Sequence, residues 1–515
     1  MMLKKLPIGI ETFEKIRSAN YLYIDKTIHI YNIISRSKYL FYARPRRFGK
    51  SLTLSTIKAI FEGKKALFKE LWIAQHWDFT QIHPVVHFSF NDIDYHHQPL
   101  EAAIQQVIAE IAASYQIQLT ANTFIAQFSE LIKKLSKVAP VVLLVDEYDK
   151  PIIDFLNAAE IEKAKQHQRV LKQFYGVLKP NDPYLQLVFL TGVSKFSKVS
   201  IFSDLNNLQD LSMHPIAVAL TGYTQEELEE NFVDYIAASA TALQISPAVL
   251  LEKIRQWYNG YSWDGKTRLY NPFSVLNFFS TSRFNNFWFD TGTPTFLVQL
   301  IKEKNYVELS KVKISELALS NFDIERLEVL PLLFQTGYLT IKSVDEFGLY
   351  EMDYPNDEVR HSMLQYLISA FRQDQDLAQS KPMVIQLHLA FQNNDIESII
   401  QILKNIFKTI PSQIFIKDAE RYYHSLIYLV FVYLGQYAES EVNTNDGRLD
   451  CVVKSTRYIY ILEFKLDKSA SKALAQIKEK GYAVKYSTDA RPKVLLGINF
   501  SSQTKTVSDY LAEII

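Results

Sequence analysis

One cysteine, Cys451, in 515 residues excludes an intrachain disulfide and any cysteine-rich zinc or iron–sulfur site, and it fits a reducing compartment. Glycine is scarce at 15 residues and the 17 prolines are spread out, so no collagen-like, mucin-like or linker-like segment is present. Long apolar runs are missing too. The longest, Leu426 to Gly435, is too short to span a bilayer, and Glu11 interrupts the stretch behind Lys4 and Lys5 where a signal-peptide core would lie. The histidines, His96 and His97 included, have no metal-ligand spacing, and no internal repeat is found. The expectation is a soluble cytoplasmic protein with no membrane partner.

What is present is ordinary for a globular chain: 48% hydrophobic and 22% charged residues, which excludes disorder as the main state. At roughly 100–200 residues per domain the length predicts two to four domains. The charge is balanced, 56 Lys and Arg against 56 Asp and Glu, but unevenly spread. Residues 31–70 carry +8, residues 451–515 carry +5, and the remainder carries −13. Local anion-binding surfaces are therefore expected on a neutral protein.

The first half alternates short apolar runs with helical periodicity, the pattern of an α/β domain around a parallel sheet. Strands are predicted at Tyr39–Ala43, Val85–Phe90, Val141–Asp146 and Leu185–Leu190, apolar on both faces as strands covered by helices must be. Helices are predicted at Leu52–Phe61 and Leu100–Tyr115, and from Thr224 the pattern becomes mainly helical, beginning with Gln225–Tyr235. Between about 285 and 375, helices precede strand-like runs at Tyr338–Lys342 and Leu349–Tyr354, an order compatible with a winged helix. Two helices over Val384–Ile410 precede a final mixed region. It reads helix Lys417–Leu434, hairpin Arg448–Lys465, helix Ala470–Tyr482 and strand Lys493–Ile498.

Strand Tyr39–Ala43 runs into Arg44-Pro45-Arg46-Arg47-Phe48-Gly49-Lys50-Ser51 and then a helix, the order of a P-loop. Backbone N–H groups from Arg47 to Leu52 and the helix N-terminus would face phosphate oxygens. Lys50 would reach the β- and γ-phosphates of ATP, and the Ser51 hydroxyl would bind Mg²⁺. Arg44 stands where the usual pattern has its first glycine, and a basic turn leading into a helix is the plainer reading. The apolar run Val141–Val145 ends in Asp146 and Glu147, at the carboxyl edge where open α/β sheets bind ligands. There Asp146 would hold Mg²⁺ and Glu147 would polarise the attacking water, although strand ends also carry solvated charges. Thr191, at the end of a further strand, is a candidate γ-phosphate sensor or a polar strand exit.

A second carboxylate site is legible near the C-terminus. Alternation along Tyr458–Lys465 puts Ile459, Ile461, Glu463 and Lys465 on one face, with Glu463 and Lys465 about 7 Å apart by strand rise. A turn at Lys454–Arg457 would bring Asp450 across from Glu463. Two carboxylates and the Phe464 carbonyl make a hard-oxygen site suited to Mg²⁺, with Lys465 placed to orient or deprotonate a water. An ion-pair cluster at a sheet end is the alternative. Lys468, Lys472, Lys478 and Lys480 lie on or beside one short helix, which is either a phosphate-binding surface or a solvated face.

The runs RPRRFGKSL, LLVDEYDKPI, LTGVSKFSKVSIFSDLNNLQDLS and YNPFSVLNFF, with LLFQTGYLTIK and YPNDEVR between the two sites, resemble a family. It is that of the microbial AAA-ATPase-like proteins carrying a C-terminal PD-(D/E)XK nuclease-like domain. The resemblance spans about residues 5–490, and the missing first glycine belongs to that family's pattern. It implies an α/β chain with an AAA-like P-loop ATPase domain over 1–222, a helical lid over 223–284 and a helical, winged-helix-like connector over 285–380. A PD-(D/E)XK restriction-endonuclease-like α/β domain over 381–515 completes it. It also implies that Glu420 and Gln476 join Asp450, Glu463 and Lys465 in the nuclease site. The function expected is an ATP-dependent, Mg²⁺-dependent nuclease acting on DNA rather than RNA, with homo-oligomerisation open because AAA-type ATPases often form rings. Arg46 and Arg47 are available as arginine fingers, but nothing in the sequence assigns either that role. The alternatives are a nucleotide-dependent switch that binds nucleic acid or a protein without cutting, and a scaffold in which Arg44 prevents nucleotide binding.

Overall fold

The computed structural model describes residues 3–515 except 158, 195–200, 203–204, 206, 290–294, 305, 321–326, 373–379, 409–418, 436–438 and 446–447. Within helices and strands, side chains at 295, 320, 408, 419–421, 439–441 and 443–450 are also outside the described set. The chain divides into two compact units, residues 1–293 with 309–359, and residues 294–308 with 360–515.

The first unit is built on a parallel sheet of β1 (Tyr39–Ala43), β2 (Val85–Ser89), β3 (Val141–Asp146), β4 (Leu185–Gly192) and β5 (Gln209–Asp210), in the order β2-β3-β4-β1-β5. Four of the five are the strands expected from their doubly apolar runs. Leu40 and Tyr42 of β1 pack with Val142, Leu144 and Phe189 against helix Lys50–Phe61. The other face packs Phe88 and Phe174 against Phe128 of helix Phe124–Leu135. Because β4 lies between β1 and β3, the carboxyl ends of all three open onto one edge.

A helical bundle follows. The expected helix Gln225–Tyr235 is instead two, Gln225–Asn231 and Val233–Ala242, breaking at Phe232. Phe232 is fully buried and stacks on Phe279, so tertiary packing overrides the local periodicity. The first helix is closed by a capping box between Thr224 and Glu227. Farther on come β6 (Val312–Ile314), two short helices, β7 (Thr340–Val344) and β8 (Tyr350–Asp353), forming an antiparallel sheet in the order β6-β8-β7. Element order and pairing are those of a winged helix, yet helix Val329–Thr336 is buried from Leu332 to Gln335 and is not presented for groove reading.

The second unit holds a mixed sheet of β9 (Glu439–Asn445), β10 (Arg448–Lys454), β11 (Ile459–Leu466), β12 (Lys493–Ser501) and β13 (Thr506–Ile514), in the order β13-β12-β11-β10-β9. Only β11 and β12 are parallel. On one face Ile459, Ile461 and Leu495 pack against Ile477 of helix Ala470–Glu479. On the other, Tyr460, Phe464 and Phe500 meet Phe391, Phe431 and Phe407 from three helices. Among the described residues no single helix is long and apolar enough to cross a membrane.

Candidate functional site

The loop after β1 turns through Arg47 at φ +63° and Gly49 at φ +95°, and the helix begins at Lys50. The first N–H groups of that helix have no intrahelical acceptor, so they and the helix dipole form an anion-binding end. Lys50 is 5% exposed, and its Nζ donates to the carbonyls of Arg44 and Pro45, each at 3.0 Å. Burial lowers its pKa, while the nearby carboxylates of Glu147, Asp146 and Asp149 oppose that shift. A cavity of about 230 Å³ opens here, lined by Lys50, Ser51, Glu147, Arg46, Arg47 and Lys150. A second, of about 320 Å³, is lined by Ser51, Asp146, His87 and Asp92. Ser51 and Glu11 border both. The expected cation, hydroxyl and carboxylates thus converge, and their chemistry fits a triphosphate with Mg²⁺.

Three residues in or beside the loop have side chains committed to the surrounding fold. Arg44 turns away from the cleft: it is fully buried, its guanidinium lies 3.9 Å from the Trp263 ring centroid and 4.4 Å from that of Tyr42, and Nη1 donates to Ser212 O at 2.6 Å. The residue in the first-glycine place therefore braces the loop from behind. Thr191 is fully buried and its hydroxyl donates to Asp146 Oδ1 at 2.7 Å, so it orients that carboxylate. The Phe48 side chain packs edge-on against Tyr261 and Trp263, which leaves only its backbone for phosphate.

Because Arg44 is a brace, Arg44→Gly, which restores the usual P-loop glycine, is expected to destabilise the first unit by at least about 2 kcal/mol through loss of a desolvated cation–π contact. Thermal and denaturant unfolding of the variant measures it; an unchanged midpoint would contradict this role.

Beside Glu147, the structure brings in Tyr148, Asp149, Gly192 and Glu11, which the sequence does not single out for this site. Glu147 sits at φ +51°, and the turn it starts is clasped to the end of β4. Tyr148 N donates to Thr191 O, the Tyr148 hydroxyl donates to Ser194 O, and Asp149 Oδ2 accepts from Val193 N, Ser194 N and Ser194 Oγ at 2.6–3.1 Å. Gly192 is needed there, since a Cβ would stand 2.5 Å from the Tyr148 ring. Burial raises the Asp149 carboxyl despite these donors. Glu11 reaches the cleft from the N-terminal segment, 3.5 Å from Arg47, with its carboxyl pushed up by burial against the pull of Arg47. Behind the loop a small cavity of about 70 Å³ joins Gly49, Leu52 and Thr53 to Tyr23, Ile24 and Tyr223. Lys26 lines it too and donates to Glu227 at 2.6 Å, tying the N-terminal segment to the helical bundle.

In the second unit, β10 and β11 pair with Asp450 directly opposite Glu463 and Leu449 opposite Phe464, the register expected from the hairpin. Glu463 is fully buried, and Lys465 Nζ donates to its Oε1 at 2.5 Å. On the neighbouring strand Glu463 pairs with Gly497, where a Cβ would lie 2.5 Å from Ala470 O. That glycine lets helix Ala470–Glu479 descend onto the sheet beside the carboxylate. The same helix carries Gln476, whose Nε2 is buried without a hydrogen-bond partner among the described residues. The side chains of Asp450 and Glu420 lie outside the described residues, although both positions fall on described elements, β10 and helix Ala419–Leu434. Among the described residues no three His, Cys, Asp or Glu side chains converge on a metal-sized site. A buried carboxylate at this strand position suits a hydrated hard cation, for which Glu463 would be one oxygen ligand. Of the lysines on the adjoining helix, Lys478 pairs with Glu513 and Lys472 is exposed.

Comparison with known proteins places both sites in matched regions. Residues 7–202 match the family described as "Predicted AAA-ATPase", and residues 418–510 match the PD-(D/E)XK nuclease superfamily. A protein of Azotobacter chroococcum mcd 1, described as "Uncharacterized protein in vnfD 5'region", is 37% identical over 528 residues, covering 100% of this chain and 99% of that one. No solved structure matches the chain.

Proposed function

Because this chain belongs to the family of AAA-ATPase-like proteins with a C-terminal domain of the PD-(D/E)XK nuclease superfamily, we propose that it is an ATPase whose nucleotide state governs Mg²⁺-dependent cleavage of DNA. What supports this most is that Lys50, Ser51, Asp146 and Glu147 border two cavities that share Ser51 and Glu11 in the first unit, while the second unit pairs Asp450 with Glu463 two residues from Lys465. Its site of action is the cytoplasm.

At the first site Lys50 exchanges its two backbone carbonyls for phosphate oxygens, and the helix N-terminus binds their charge. Ser51 and Asp146 would hold Mg²⁺, which offsets charge on the phosphates. Thr191 keeps the Asp146 carboxylate in one orientation, and Glu147 orients the attacking water through its carboxylate. The cavity at Tyr23, Leu52 and Tyr223 receives the base. At the second site Glu463, Asp450 and the Phe464 carbonyl would hold Mg²⁺, which stabilises charge developing on the scissile phosphate. Lys465 Nζ, released from Glu463, orients the water and takes part in its proton transfer, while Gln476 donates from Nε2. Lys468, Lys472 and Lys480 supply sequence-independent phosphate contacts.

Purified full-length protein incubated with Mg²⁺ and ATP should release phosphate, and it should cut plasmid or linear DNA. Release without cutting, across DNA and RNA substrates, would favour the reading as a switch.

A further inference from the structure

The phosphate cleft contains a cation that the P-loop and acid-strand motifs leave without a role. Lys150 opens the short helix Lys150–Ile153, three positions after Glu147, and its N–H donates to Glu147 O at 3.0 Å. Its side chain borders the same cavity as Lys50, Ser51 and Glu147. From there Nζ donates to Asp154 Oδ2 at 2.8 Å. That single oxygen also accepts from the Tyr95 hydroxyl at 2.7 Å and lies 3.4 Å from His96 Nε2. Burial pushes the Asp154 carboxyl up, but the hydrogen bonds from Lys150 and Tyr95 outweigh it and hold the pKa below the ordinary value.

An Asp and a Lys four residues apart on a helix are usually a solvated ion pair worth little. This pair differs in two ways. The ammonium borders a cavity that already collects a P-loop lysine and the proposed water-orienting carboxylate. The carboxylate has another donor, the Tyr95 hydroxyl, with His96 Nε2 3.4 Å away, so it keeps a hydrogen bond when the lysine moves away. Lys50, moreover, would be shared between the β- and γ-phosphates, and beside Glu147 the terminal phosphate of a bound triphosphate would meet negative charge that a second cation would offset. We propose that Lys150 is a cation supplied in cis to the γ-phosphate, and that Asp154, Tyr95 and His96 are positioning residues that hold it at the mouth of the cleft. This rests on the ATPase reading and assigns to one protomer a role that many nucleotide hydrolases fill with an arginine finger from a partner.

The test is calorimetry on the full chain with Mg²⁺-ATP and Mg²⁺-ADP, comparing the parent with Lys150→Met, Lys150→Arg and Lys50→Ala. A charge-assisted hydrogen bond to the third phosphate predicts that Lys150→Met loses about tenfold to a hundredfold in ATP affinity while ADP affinity stays within about twofold. Retained ADP binding also certifies a folded variant. Lys150→Arg should recover most of the loss, and Lys50→Ala should weaken both nucleotides. An unchanged ATP affinity in Lys150→Met, or equal losses for ATP and ADP, would overturn the assignment. If the parent binds neither nucleotide, or Lys50→Ala changes nothing, the ATPase reading itself fails and takes this inference with it.

Discussion

Lys50→Ala is expected to weaken Mg²⁺-ATP binding by about a hundredfold or more, since it removes charge-assisted contacts to two phosphates at once. Lys50 starts the helix whose N-terminus faces the cleft, and only 5% of it is exposed. Burial lowers the pKa of this ammonium, and the nearby carboxylates of Glu147, Asp146 and Asp149 oppose that shift. Removing it alone leaves the negative charge of those carboxylates unopposed by it, so phosphate is repelled as well as unbound. Two carbonyls, of Arg44 and Pro45, also lose their donor. Calorimetry and unfolding on the same preparation separate the effects: a large affinity loss with a small shift in stability is the expected pattern. Equal heats of ATP binding for variant and parent would remove Lys50 from its role.

At the second site, Glu463→Gln and Lys465→Met are each expected to lower DNA cleavage by about 10²–10³-fold, the scale of losing a preorganised electrostatic or acid–base group. Their effects on stability should not match. Glu463 is fully buried and Lys465 is its ion-pair partner, so taking away the lysine leaves a buried carboxylate short of its cation, at a cost of about 3–5 kcal/mol. The double variant Glu463→Gln, Lys465→Met removes both charges and should regain most of that stability while staying inactive. Nuclease assays and urea unfolding of all three variants check this. A stable double variant that still cuts would mean that the pair is structural only, the ion-pair alternative left open by the sequence.

Much of this arrangement was legible in the residues. β1 and β3 are apolar on both faces and end in a phosphate loop and an acid pair, so period and end chemistry agreed. The Asp450–Glu463 register followed from one turn and the two-residue strand period. Other features depended on partners distant in the chain. The Arg44 side chain could be assigned to the first-glycine position but not aimed, because Trp263, from the helical region, stacks on it. Lys150 and Glu11 enter the cleft only because of how β4 sits between β1 and β3 and how the N-terminal segment folds back, which local pattern does not encode. β9 and β13 escaped notice since both are edge strands; β13 mixes exposed polar residues, Ser508 and Asp509, with exposed apolar ones, Leu511 and Ile514, so no one-sided alternation marks it, and β9 reads Glu-Ser-Glu-Val-Asn-Thr-Asn. The sequence leaves Thr191 open between a γ-phosphate sensor and a polar strand exit, and only the fold shows its hydroxyl donating to Asp146.

The central claim is that nucleotide at the first site governs cutting at the second, and DNA cleavage with Mg²⁺, with and without ATP, tests it most directly in three proteins. The parent should cut at a rate that ATP changes, Lys50→Ala should cut at a rate indifferent to ATP, and the double variant at Glu463 and Lys465 should not cut under either condition. Cleavage by the parent that ATP leaves unaltered, or equal cleavage by the parent and the double variant, would contradict it.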